Sequence, residues 1–142
     1  MNQYFEQMVL SASPAELIRL LYQKAIASTR SARAYMNDKS VAGRCSAINN
    51  AYLVIDELAL SLRPEEAPEL ANRLSSLYAY MQKRLLEANA TRSEAPLTDV
   101  LGLLITLAEA WNVLTDTQGA PSGPWAAACV TSEEMDRAGV SA

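Results

Sequence analysis

The side chains that could do chemistry are few, and their spacing assembles none of the familiar reactive sites. The 142 residues include no histidine. That excludes Ser-His-Asp and Cys-His nucleophilic catalysis, histidine-containing zinc sites and the helical Glu-x-x-His di-iron site. Cys45 and Cys129 lie far apart, outside any redox or metal-ligand motif, and an all-thiolate zinc site needs four such residues. Two reduced thiols in a cytoplasmic protein are the expectation. Cys45 has no histidine base to activate it, so no catalytic residue, no cofactor and no metal is assigned. Sixteen Asp and Glu outweigh twelve Lys and Arg, a net charge of -4. A duplex nucleic-acid binder needs a net basic face, so nucleic acid is not expected as a partner.

What the chain has in quantity is apolar surface, 50% of its residues. Its length suits one domain with a sizeable core. The first residues carry Glu6 and no basic run, unlike a secretory signal. The longest strongly apolar stretch, from Val100 to Ala108 between Asp99 and Glu109, is far shorter than the roughly 18 to 20 residues that span a bilayer.

Prolines cut the chain into helix-length pieces. Ser13, Pro14 and Glu16 form a capping box that starts a first helix over about 14–37. Its stripe is Leu17, Ile18, Leu21, Ala25, Ala32, Tyr35 and Met36. A second, over about 41–62, repeats Ile48, Ala51, Tyr52, Ile55, Leu58 and Leu62 until Pro64 stops it. A third, over about 68–90, carries Leu70, Leu74, Leu77, Tyr78, Met81, Leu85 and Ala88. Pro96 opens a fourth, over about 96–115, with Leu97, Val100, Leu101, Leu104, Ala108, Trp111 and Leu114. Four helices of matched length with short connections predict an all-α, antiparallel four-helix bundle. Within this 1–115 domain, residues 1–12 form a short segment packed on the bundle. From 116 to 142 the pattern dissolves into a Gly/Pro-rich tail, expected to be flexible.

The fourth helix is too apolar for its place in a bundle. At about 100° per residue, Thr98, Asp99, Gly102, Thr106 and Glu109 share one narrow arc. Apolar residues spread over about 220° of the rest, where a bundle helix needs little more than about 100°. Leu97, Leu104, Ala108 and Trp111 sit near the centre, Leu103 and Leu114 on one flank, and Ile105 on the other. Surplus apolar surface of this kind marks a partner surface unless another segment covers it. Tyr4, Phe5, Met8, Val9 and Leu10 are the natural cover, with Tyr4 and Leu10 assigned to a lid that is either a fixed packing element or displaceable. The partner groove is assigned to Leu103, Ile105 and Leu107, with Tyr52 and Ile55 as neighbours across it. Ordinary core packing is the competing reading for Tyr52 and Ile55. A helical adaptor or homodimerisation module built on the same face is the alternative function.

The ordered residues resemble a known family. The match begins at Tyr4, continues through Ser13-Pro14 and Leu17-Ile18-Arg19-Leu20-Leu21-Tyr22 to Ala25-Ile26, and resumes at Ile55-Asp56-Glu57-Leu58. Leu74-Ser75-Ser76-Leu77-Tyr78-Ala79-Tyr80-Met81, Arg84-Leu85-Leu86-Glu87-Ala88-Asn89 and Ala110-Trp111 complete it. The chain resembles the FliS family of flagellar secretion chaperones over residues 4 to about 114. It departs from the family at Gln23, where Asp is common, and in its long tail. The resemblance implies a cytoplasmic, non-enzymatic export chaperone that binds the C-terminal segment of flagellin and prevents its premature polymerisation. It implies transient delivery to the flagellar type III export gate at the membrane, and an N-terminal segment that occupies part of the client groove.

Overall fold

The computed structural model describes residues 13–118. They form four helices: α1 (Pro14–Asn37), α2 (Val41–Leu60), α3 (Pro68–Thr91) and α4 (Ala95–Gln118), with no strand among the described residues. The assignments to residues 1–12, Tyr4 and Leu10 included, and to residues 119–142 lie outside this region.

Local chemistry sets the helix ends. The Ser13 hydroxyl accepts the Glu16 N–H at 3.2 Å, with Pro14 in the first turn. Asp38, Lys39 and Ser40 join α1 to α2. Lys39 takes a left-handed φ of 59°, and the Ser40 hydroxyl then caps α2 through the Gly43 N–H at 3.3 Å. α2 stops at Leu60, two residues before the end of its apolar stripe. The Ser61 N–H turns back to the Glu57 and Leu58 carbonyls and its hydroxyl to Leu58 O, which tightens the last turn. Leu62 still tucks against the core. Arg92 closes α3 in a left-handed conformation at φ 54°. α4 runs to Gln118, past the expected end at 115, because no helix breaker intervenes before Gly119.

Each helix of 20 or 24 residues is about 30 or 36 Å long. α1 packs on α2 and α4, and α3 packs on the same two, so α2 and α4 stand at opposite corners. Cross-helix bonds fix the directions. Near the start of α1, Arg19 Nη2 donates to Thr115 Oγ1 at 2.7 Å and Ala15 O accepts from Trp111 Nε1 at 3.1 Å, both from the end of α4. At the other end Arg33 pairs with Glu94. Arg44 Nε, early in α2, donates to Asn89 Oδ1, late in α3, at 2.9 Å. Neighbours are therefore antiparallel.

The core runs the length of the bundle, with Tyr22, Ile55, Leu58, Tyr78, Met81, Leu85, Leu97, Leu104 and Trp111 fully buried. In its interior the hydroxyls of Tyr22 and Tyr78 meet at 2.6 Å across the α1–α3 diagonal. Three residues that carried the family resemblance, Tyr22, Tyr78 and Asn89, thus make cross-helix bonds. α4 is, by length and composition over Ala95–Thr115, apolar enough to cross a membrane. That span is longer than the Val100–Ala108 stretch because it runs through the bounding Asp99 and Glu109. Its strongest positions, Leu97, Val100, Leu104 and Trp111, face the other helices and have no exposed surface.

Candidate partner-binding surfaces

α4 offers two flanks beside its buried centre, and they belong to different seams of the bundle. On the α3 side, Leu103 and Leu107 are half-buried and pack against the core. The rim of this seam is polar. The Tyr80 hydroxyl donates to Asp99 Oδ2 at 2.6 Å, and Arg84 Nε donates to the same oxygen at 3.0 Å. Arg84 also holds Glu87 one turn along α3. The Tyr80 hydroxyl bond, then Arg84, holds the Asp99 carboxyl below its ordinary range. That bond to a carboxylate, with desolvation behind it, pushes the Tyr80 phenol up. Bonding to Glu87 raises the Arg84 guanidinium. All three side chains reach solvent, so the clasp orients the seam more than it stabilises it.

On the α1 side a shallow groove of about 360 Å³ separates α1 from α4. Its apolar floor is Ile26, Ile105 and Ala108. Gln23 and Arg30 form one rim, Glu109 and Asn112 the other. Ile105 is half-buried here.

The five residues assigned to one groove therefore occupy four places. Leu103 and Leu107 face the α3 seam, and Ile105 faces the α1 seam. Tyr52 lies half-buried on α2, its carbonyl accepting from Gln82 Nε2 of α3 at 3.2 Å. Ile55 is fully buried in the core and presents no surface. Tyr52 and Ile55 are not neighbours of the α4 residues across a groove, because short connections place α2 diagonally from α4. A helical wheel gives each residue's direction from its own axis, but not which neighbour lies there.

Sequence reasoning also missed an apolar line on α2. Leu53 and Leu60 are 51% and 68% exposed, one heptad apart and off the core stripe. Leu53 joins Leu21 and Val54 in an α1–α2 groove of about 390 Å³ that Lys24, Asp56 and Glu57 edge. A wheel drawn for α2, as for α4, would have shown it. Further along this seam, the Tyr35 ring lies so close on Gly43 that a Cβ there would collide with it. Among the described residues no three His, Cys, Asp or Glu side chains gather as a metal site. The exposed Cys45 thiol donates to Asn89 Oδ1 at 3.6 Å.

A scaffold of this kind, with apolar seams and no reactive cluster among the described residues, has relatives. The sequence model of the family described as "Flagellar protein FliS" matches residues 1–118. The flagellar secretion chaperone FliS of Salmonella typhimurium is 37% identical over 111 residues, 78% of this chain and 82% of its own. The flagellar secretion chaperone FliSB of Pseudomonas aeruginosa is 34% identical over 116 residues, covering 79% and 92%. The Escherichia coli FliS is 32% identical over 107 residues, covering 75% and 79%. With a family match over most of its length and such relatives on similar spans, the chain belongs to the FliS family.

Proposed function

We propose that this protein is a cytoplasmic export chaperone. It binds the C-terminal segment of flagellin, keeps it from polymerising and hands it to the flagellar type III export apparatus at the membrane. Family membership supports the role. The observation that carries it to a surface is the half-exposed apolar side chain on both flanks of α4, Leu103 and Leu107 on one and Ile105 on the other. A client that is disordered when free spends much of its binding energy on ordering itself, so it needs broad apolar contact. Helical pieces lying in the seams of a bundle provide that contact. A client that wraps the bundle reaches both flanks and Tyr52 in turn, which one groove would not require. Ile55 acts beneath them as core. The work is binding, with no chemical step.

The test is calorimetric titration of the full chain with a peptide of the flagellin C-terminal segment. Saturable one-to-one binding supports the reading. A tight homodimer by light scattering that does not take up the peptide overturns it in favour of a homodimerisation module.

A further inference from the structure

The basic side chains of this acidic protein are unevenly placed. α1 carries Arg19, Lys24, Arg30 and Arg33 against the single acid Glu16. Arg30 stands on the rim of the α1–α4 groove and makes no ion pair among the described residues. The groove thus combines an apolar floor, Ile26 and Ile105, with a cation, Arg30, on the α1 rim and an acid, Glu109, on the α4 rim. The chain supplies a segment of matching character. Beyond Gln118, where the family match ends, a Gly/Pro spacer leads to Trp125-Ala126-Ala127-Ala128-Cys129-Val130. Glu133, Glu134 and Asp136 follow, against one Arg137.

We propose that this C-terminal segment docks in the α1–α4 groove of its own chain. Trp125 covers Ile26 and Ile105, and the acidic run lies toward Arg30. The reach is sufficient. Trp125 is seven residues beyond Gln118, about 22 to 25 Å of extended chain. Ile105 is thirteen residues back along α4, about 20 Å. A tail that doubles back along the helix it leaves therefore brings its tryptophan to the groove. Tethering does much of the rest: a short covalent link holds the segment at an effective concentration on the order of millimolar, so a weak contact suffices. Because Ile105 is also a proposed client contact, the docked tail competes with the client. Docking itself does not depend on that reading, and its test contains no client.

A nitroxide label on Cys129, in the full chain with Cys45→Ser to leave one thiol, reports where the tail lies. The expected result is selective loss of the amide signals of Gln23, Ile26, Arg30 and Ile105, restored when the label is reduced. Trp125→Ala and Arg30→Glu should each weaken the loss, and high salt should weaken the acidic contribution. Uniform signal loss over the bundle, or loss centred on the α2–α3 seam, overturns the proposal. So does loss that appears only when label and isotope are on different molecules, which would assign the groove to the tail of a second copy.

Discussion

The two flanks of α4 differ in how they are finished. On the α3 side, Leu103 and Leu107 already pack on the core, and the Tyr80–Asp99–Arg84 clasp crosses the seam beside them. On the α1 side, Ile105 lies over a groove whose rim charges, Arg30 and Glu109, are not bonded to each other. One flank spends its apolar surface on stability, while the other keeps it available. Excess apolar character on a wheel is therefore not one property. Its use depends on whether the neighbouring helix brings side chains that close the seam.

Substitutions along α4 test this contrast. At the centre, Leu104→Ala removes a fully buried side chain and should destabilise the protein by about 2–5 kcal/mol in urea unfolding. Leu103→Asp puts a charge where the α3 flank packs and should cost about 1–3 kcal/mol. Ile105→Asp should leave stability within about 1 kcal/mol and weaken flagellin-peptide binding about tenfold or more, roughly 1.4 kcal/mol. Equal stability losses at Leu103 and Ile105 would erase the distinction between the flanks. Undiminished peptide affinity in Ile105→Asp would remove the α1 seam from the client site.

The outward arc should behave as helix surface alone. Nothing lies within 4 Å of a Cβ added at Gly102. Gly102→Ala should therefore raise stability by about 0.5–1 kcal/mol through helix propensity, with peptide binding unchanged. The smallest effect belongs to the clasp. The folded-state pKa of Asp99 lies below its ordinary value of 3.8. Its contribution is thus present above that value and lost as the pH falls through the lower folded one. Thermal unfolding of Asp99→Asn should show a slightly shallower decline below pH 4 than the unaltered chain. An identical decline would mean that the clasp orients the seam without stabilising it.

The fold was legible because its signals are local. Ser13-Pro14-Ala15-Glu16 announces a helix start without reference to the rest of the chain, and Pro64, Pro68 and Pro96 punctuate the remainder. The α2 end was less so, since Ser61 closes the helix with its own hydroxyl while the stripe runs on to Leu62. Of the candidate site, the directions of Leu103, Ile105 and Leu107 followed from periodicity. Pairing them with Tyr52 and Ile55 required knowing which corners of the bundle touch. Short loops make consecutive helices neighbours, so α2 and α4 were always the diagonal pair. The clasp on Asp99 and the bond between Arg44 and Asn89 carry no spacing signal, because each joins residues on different helices.

The hydroxyl contact between Tyr22 and Tyr78 bears on how such a scaffold can move. Apolar stripes of similar leucines resist sliding only weakly, since a shift of one turn, about 5.4 Å, replaces one leucine with another. Two phenols meeting at 2.6 Å in the interior tolerate no such shift. The pair acts as an index mark between helices that are otherwise not neighbours. It sets the relative height of α1 and α3, and with it the height at which each seam offers its surface. A long chain laid along several seams at once needs those heights to be constant.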